Sequence, residues 1–384
     1  MNRGRETAVL YFRRQVCYNL RMAIIFTLIF WLIVFLLVLL YFLFPVYVRL
    51  LGLFSRKRAV KPCAAPSASL MILYGGNLEQ LKAKIENCLL LEPKGEGPEL
   101  VVAVNQRDAE VDSLVTGYFN KGVKLFYPAE KQSPAGTMVR CATECKGEVV
   151  VVTDSVSKLD KYAVKNILRK FTDEKTGAVS GKAVYTGEHE NYMGGLKITE
   201  AYNEYVIRLL DAVGLVVSAN ILLYAFRKDA VESIPAGSSG SSVIPLRVIY
   251  GGYRSRYEPL AVTELELQGK AEVLAGEEAL ELAASLGSVS SVKDLLKKWK
   301  INAWVCALFE NLLMPSAGVF ALSLFVVNLL LINTSAAFVL SLGAQVIFYA
   351  AAATGVSKTA YYISLHIYAS VRAVYISWRK QNAV

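Results

Sequence analysis

Between Arg21 and Arg49 the chain carries no charged residue, and the run includes IIFTLIFWLIVFLLVLLYFLF. About 20 apolar residues in a helix cross the hydrocarbon core of a bilayer. The run therefore predicts a permanent transmembrane helix over 22–48, preceded by a basic segment over 1–21. A cleaved signal peptide would have a shorter apolar region and a small-residue cleavage site after it, and neither is found. Arg3, Arg5, Arg13 and Arg14 lie before the run and Arg56-Lys57-Arg58 after it, so the flanking charge does not orient the helix. A second uncharged stretch, between Glu310 and Lys358, is long enough for two spans over 311–332 and 335–356, with a turn near Asn333-Thr334-Ser335. With 54% apolar residues and a mean hydropathy of +0.38, the remainder fits one soluble domain carried by a few membrane segments. The net charge of +10 is concentrated beside the apolar spans, the pattern of cytoplasmic anchoring, and no nucleic-acid partner is expected.

From Leu70 to about Thr263, short β-rich runs alternate with helical ones. SLMILYG, ELVVAVN, VKLFYP, EVVVVTD and GAVSGKAVY read as strands, with helices over Leu78–Leu91 and Asp160–Lys170 among them. This spacing implies right-handed crossovers and a mostly parallel sheet, in one α/β domain over 69–285 that follows a linker over 49–68. Its organising strand is Gly147 to Ser157, GEVVVVTDSVS, whose valine run suits a strand buried on both faces. In open α/β sheets ligands dock outside the carboxyl ends of the strands, so Asp154 stands where a metal or a ribose is expected. One carboxylate holds Mg²⁺ or Mn²⁺ weakly, and the neighbours here are Ser155, Val156 and Ser157. The alternative, structural role for Asp154 is to cap the following helix through its carboxylate.

Ala236 to Val243, AGSSGSSV, predicts a mobile loop. Beyond Glu266 an Ala/Glu/Leu-rich segment reads as helical. Val289, Val292, Leu296, Trp299 and Ala303 then fall on one face of a helix over 286–304 whose lysines point elsewhere, which predicts an amphipathic helix in the headgroup layer. The final segment, 359–384, is interrupted by Arg372 and reads as an interfacial or re-entrant helix. Tyr192 is expected in a loop, and Arg254 and Arg256 on a solvated strand face. Six scattered cysteines and two histidines, His189 and His366, form no zinc motif, and Cys141 and Cys145 are expected as buried free thiols.

In their order these pieces resemble the membrane-anchored family 2 glycosyltransferases, inverting enzymes of the GT-A fold that use nucleotide-sugar donors. LYFLFPVYVRLLGLFSRKR is similar to the end of that family's amino-terminal anchor, LKAKIENCLLLEP to its first helix, and GEVVVVTDS to the strand of its metal motif. TGAVSGKAVY resembles the next strand, and LYAFRKDAVESIP with GYRSRYEPLAVTE the acceptor-side half. The resemblance implies a nucleotide-diphospho-sugar transferase domain between an N-terminal transmembrane helix and a C-terminal transmembrane hairpin. With the lysine-rich helix before the hairpin and Lys358 after it on the cytoplasmic side, the expectation is an integral protein of the inner or plasma membrane whose α/β domain is cytoplasmic.

The chemical positions depart from that pattern. The Asp that holds the base is replaced by Asn105, and of the two metal acids only Asp154 remains, with Val156 at the second position. The catalytic base falls on Gly240, Ser241 and Ser242. The Lys and Asn that follow the third strand would fall near Ala135 and Arg140, and no Gln-x-x-Arg-Trp motif is found. Inverting transfer needs a base worth typically ~10²–10⁴-fold and a cation on the departing diphosphate. The resemblance therefore implies a degenerate member: a partner or scaffold subunit in polysaccharide or glycan synthesis, paired with an active membrane glycosyltransferase. The alternatives are a transferase with a displaced site using Asp154 with Glu264 or Glu266, for which Mg²⁺ or Mn²⁺ would be required, and a nucleotide-sugar sensor binding through Asn77, Asn105 and Asp154. Asn77, after Gly75-Gly76, also suits a plain turn.

Overall fold

The computed structural model describes residues 2–54, 63–92, 98–128, 134–188, 190–231 and 240–382. His189, residues 236–239 of the expected mobile loop, and 55–62 of the expected linker lie outside them. The chain opens on α1 (Asn2–Val38), a π-helical turn over Leu39–Leu43, and α2 (Phe44–Phe54). The helix thus continues past the expected boundary at 48.

β1 (Ala68–Leu73), α3 (Leu78–Leu89), β2 (Glu99–Ala103), α4 (Ala109–Thr116), β3 (Val123–Phe126), α5 (Pro134–Glu144) and β4 (Val149–Asp154) form the first half of the α/β domain. Then come β5 (Lys158–Leu159), α6 (Ala163–Arg169), β6 (Thr176–Gly187), α7 (Glu190–Val213), β7 (Leu223–Arg227), α8 (Gly240–Tyr250) and β8 (Arg254–Leu267). The eight strands make one sheet in the order β3-β2-β1-β4-β7-β6-β8-β5. β3, β2, β1 and β4 are mutually parallel, β7 runs antiparallel between β4 and β6, and β6 pairs with β8 in parallel. The sheet is the mixed, parallel-rich one that the alternation of elements implies.

The valine run explains why β4 is central. Val149 and Val151 face a core with Leu81 and Ile85 of α3 and Val164 and Ile167 of α6, while Val150 and Val152 face Met138 and Cys141 of α5 and Ile244 and Val248 of α8. Both faces are covered, so the period-2 alternation of a half-exposed strand has no purpose here. Cys141 and Cys145 are buried free thiols. Gly147 admits β4 beside β1, since any Cβ there would strike the backbone of Ala68 and Ser69.

The remaining helices are α9 (Ala271–Leu286), α10 (Val289–Lys297), α11 (Ile301–Leu308), a π-helical turn over Phe309–Leu313, α12 (Ala317–Leu330), α13 (Ala336–Ala353) and α14 (Lys358–Asn382). Three expectations change within the α/β domain. Gly240–Val243 is no loop: it is the buried first turn of α8, held by Met138 and Tyr224, which leave no room for a Cβ at Gly240. Tyr192 is buried within α7 and meets Tyr362 edge-to-face at 5.1 Å. Arg254 pairs with Asp173 at 3.1 Å and Arg256 with Asp211 at 2.7 Å, so neither faces open solvent.

The single amphipathic face over 286–304 is broken. The Lys300 amide donates to Leu295 O and the Trp299 amide to Leu296 O, a helix-ending motif that puts Trp299 at φ +53° and leaves it exposed. The stretch expected as one helix over 311–332 is also divided: Ile301–Leu313 and Ala317–Leu330 meet at 63°, with Pro315 in the break. Taken alone, 14-residue α12 is about 21 Å long, short of a hydrocarbon core of about 30 Å.

Among the described residues two helices, Leu20–Phe54 and Ala336–Ala353, are long and apolar enough to cross a membrane, or three if the bent pair counts as one span. Large apolar side chains such as Leu28, Trp31, Phe42 and Leu340 stand exposed along them. The N-terminal helix docks on the domain through Leu40, Phe44 and Val48, which pack with Val206, Leu210 and Phe309, and Phe44 stacks on Phe309 at 4.5 Å. α14 lies against α7 and α9, where Tyr362 meets Met193 and Leu274.

Candidate functional site

Two neighbouring regions collect the chemistry. The first is the carboxyl edge of β2, β1 and β4, where the strand register aligns Ala103, Leu73 and Asp154. Asn105 and Asn77 follow two and four residues past their strands, so all three nucleotide candidates stand along one edge. Asn77 is the N-cap of α3: its side-chain oxygen accepts from the Gln80 amide at 3.0 Å, which is the structural role. Asn105 is half-buried.

Asp154 is occupied by its own turn. Its carboxylate accepts from the Ser157 hydroxyl, from the Ser157 amide at 3.3 Å and from the Val156 amide at 3.2 Å, and it faces Lys84 Nζ at 3.9 Å. Lys84 is buried on α3 and donates to Ser157 O at 2.7 Å. Burial lowers the lysine's pKa, and the Cys88 thiol and Asp154 oppose that shift. Burial in turn pushes Cys88 up to about 12. Asp154 thus closes the Ser155–Ser157 turn and balances an internal cation; it caps no helix.

A divalent cation fits this arrangement poorly. The oxygens that would face it already accept from three donors, an ammonium lies close by, and Val156 offers an exposed hydrocarbon where a second acid would be needed. Among the described residues, no group of three or more His, Cys, Asp or Glu side chains is placed to hold a metal.

The second region is a cavity of about 670 Å³. Ser241 and Ser242, at the buried N-terminus of α8, form part of its wall, and Ser242 Oγ lies 3.3 Å from Ser285 Oγ of α9. The sequence led us to expect a cleft short of acids, and this is corrected. Glu200 and Glu204 of α7, Glu278 and Glu281 of α9, and Glu310 of the second π turn all line the cavity. They come from other segments than the one in which a base was sought. Glu264 and Glu266, the displaced-site candidates, are exposed on β8 and do not line it.

The electrostatics are uneven. Glu281 lines the cavity with its side chain accessible to solvent; the enclosing wall desolvates its carboxyl and pushes it up to about 7, with Glu278, Glu277, Glu200 and Asp154 adding to the lift. Desolvation also raises Glu200, against a hydrogen bond from Asn203. Glu204 is held low, chiefly by the hydrogen bond from Lys182 at 2.8 Å. Glu278 Oε1 lies 2.6 Å from His366 Nδ1 and accepts from Tyr362 Oη at 3.4 Å, while its Oε2 is buried without a partner.

Sequence reasoning missed Glu200, Glu278, Glu281 and His366. The one local signal was the spacing of Glu278, Glu281 and Ser285, three and four residues apart, which places them on one helical face. Nothing local pairs Glu278 with a histidine 88 residues away.

No protein-family profile matches the chain, and neither does any curated protein. Among solved structures, mannosyltransferase PcManGT from Pyrobaculum calidifontis in complex with GDP-Man and Mn²⁺ aligns with a TM-score of 0.66. The identity is 14%, and the alignment covers 90% of this chain and 98% of that one. GalNAc-T7 with UDP, GalNAc and Mn²⁺ aligns with a TM-score of 0.42 at 11% identity, over 54% of this chain and 44% of that one, and carries no weight below. The likeness to the mannosyltransferase is one of fold: the chain has a glycosyltransferase-like architecture with helices apolar enough to span a membrane.

Proposed function

We propose that this chain is a membrane-anchored, glycosyltransferase-like subunit that does not itself transfer sugar. It serves as a partner or scaffold in cell-surface polysaccharide or glycan synthesis, paired with an active membrane glycosyltransferase. The observation that carries this reading is the state of Asp154, the one acid left at the metal position, whose carboxylate is taken up by Ser157, Val156 and Lys84. Ser241 and Ser242 at the base position support it, because a serine hydroxyl at neutral pH does not accept a proton from another hydroxyl. In this reading Leu20–Phe54 and the hairpin of α12 and α13 anchor the chain in the inner or plasma membrane, with the domain on the cytoplasmic side beside Lys293, Lys297, Lys298 and Lys300.

Calorimetry of the purified protein with nucleotide sugars, with and without Mn²⁺, tests it. The scaffold reading predicts no metal-dependent binding and co-purification of a second, acid-complete transferase. Tight metal-independent binding along the edge of Asn77, Asn105 and Asp154 would instead make the chain a nucleotide-sugar sensor.

A second reading rests on the Glu278–His366 pair. With its proton on Nδ1, His366 donates to Glu278 Oε1, and Nε2 keeps a lone pair. A carboxylate that orients an imidazole at a cavity wall is the arrangement of a general base, and it would replace the lost aspartate. This reading requires measurable donor turnover that His366→Ala abolishes; without turnover it fails.

A further inference from the structure

Among the described residues, Trp299 is the one other than glycine with a positive φ, +53°, and it is 83% exposed at the corner between α10 and α11. Glycine or asparagine would hold that backbone with less strain, and a polar side chain would meet water at lower cost. A strained residue that presents an indole outward points to a task for the indole. Leu296 and Ile301 beside it are exposed as well. The corner is fixed by its helix-ending bonds and by Lys298, whose Nζ lies 4.1 Å from the centre of the Tyr250 ring.

The charge around the corner is positive and largely unspent. Asp294, the acid of α10, is taken up by Lys297 at 2.7 Å and Arg247 at 3.2 Å. Lys293 and Lys300 have no carboxylate partner among the described residues, and neither has the exposed Arg49. The corner also stands where the N-terminal span ends. Tyr47 Oη donates to Asn302 Oδ1 at 3.1 Å, which sets the start of α11 beside the residue two positions before Arg49 closes the uncharged run. Ile301–Leu313, which begins two residues after Trp299, is the first arm of the bent span.

An indole suits the headgroup level of a bilayer, where its ring is in an apolar layer and its N–H meets water, and lysines at that level attract anionic lipid. We propose that the Trp299 corner docks on the bilayer surface and selects anionic phospholipid, with the indole inserted among the headgroups and Arg49, Lys293, Lys298 and Lys300 serving the lipid phosphates. The device differs from the flat amphipathic helix that the sequence predicts. A rigid corner carries one aromatic wedge, and the broken helix axis on either side of it keeps the wedge foremost. The inference rests on the membrane placement proposed above and is independent of whether the chain transfers sugar.

The test uses the full chain in nanodiscs of equal parts phosphatidylcholine and phosphatidylglycerol, with bromine on the upper acyl chains of one lipid or the other in turn. Bromine quenches an indole on contact, so the fluorescence that separates the parent from Trp299→Phe reports what touches Trp299. Trp31, exposed on the N-terminal span, is read in the same way through Trp31→Phe and reports the span itself. Both substitutions fall on exposed side chains, and thermal melts show that the variants fold. Trp299 is expected to be shielded from aqueous acrylamide and quenched by lipid, with brominated phosphatidylglycerol at least about fivefold the more effective, the preference given by about one surface cation. Trp31 should be quenched by the two lipids alike. Lys293→Gln combined with Lys300→Gln should bring the preference at Trp299 to within about twofold of parity, and molar salt should do the same by screening. The proposal is overturned if acrylamide reaches Trp299 and brominated lipid does not, if the two lipids quench it alike, or if the preference survives the double variant. Quenching of Trp31 without quenching of Trp299 removes this inference alone, whereas a Trp31 that also escapes the lipid removes the membrane placement and the inference with it.

Discussion

Replacing Asp154 separates a structural acid from a metal ligand. Asp154→Ala deletes an acceptor for the Ser157 hydroxyl and for two amides at 3.2 and 3.3 Å, and leaves Lys84 buried without its counter-charge. Hydrogen bonds to charged groups contribute about 1.5–3 kcal/mol each at good geometry. Those to the amides are long, and water reaches the carboxylate, whose side chain is 23% exposed. The sum is therefore about 2–4 kcal/mol, and about half that for Asp154→Asn, which keeps one acceptor oxygen. For a domain of this size that corresponds to a fall in Tm of roughly 5–10 °C for the alanine variant. Far-UV circular dichroism melts of the full chain in detergent, run with and without Mn²⁺, measure it. The reasoning predicts the same fall in both conditions and no Mn²⁺ shift in the unmodified protein. A bound metal at about a hundredfold excess over its Kd would add about 2.7 kcal/mol. If the alanine variant melts within about 1 °C of the parent without metal, and a Mn²⁺ stabilisation of the parent is lost in it, the structural assignment of Asp154 is wrong.

Other perturbations follow from the same contacts. Glu281 has a folded pKa raised from 4.5 to about 7, so its contribution to stability is complete below pH 4.5 and is lost as the pH rises through about 7. Glu281→Gln should therefore leave the Tm unchanged at pH 4.5 and raise it at pH 8, as melts across that window would record. At Gly195 a Cβ would run into Tyr362 and come within 2.9 Å of Lys358 O, so Gly195→Ala should loosen α14 from α7 and expose α14 to limited proteolysis. Ser242→Asp restores a carboxylate at the base position and should yield no turnover, because Asp154 is still committed to its turn; turnover in this variant would show the donor half to be intact.

Much of the fold was legible because its signals are local. Four consecutive valines ending in Thr153-Asp154 identify a doubly covered strand, and β1, β2, β3 and β6 begin and end within a few residues of where the apolar runs place them. The uncharged run before Arg49 is equally direct, whereas Asn77, read as a ligand or a plain turn residue, is a helix cap. What escaped was set by contacts distant in sequence. Small residues at Gly240–Ser242 look like a loop until Met138 and Tyr224 close around them. Trp299 sits in a left-handed conformation that residue preference does not favour, and the helix-ending bonds to Leu295 and Leu296 impose it. The acid-lined cavity was illegible for the same reason: its carboxylates come from α7, α9 and the turn at Glu310, three segments distant in sequence that meet only in the fold.

The most direct test of the account is a transfer assay on the isolated chain in nanodiscs, following release of the nucleoside diphosphate from a panel of GDP- and UDP-sugars in the presence of Mn²⁺. The account predicts release no faster than from protein-free nanodiscs, with transfer appearing only when a second, acid-complete transferase is added. Release by the chain alone that disappears in Asp154→Asn would contradict it.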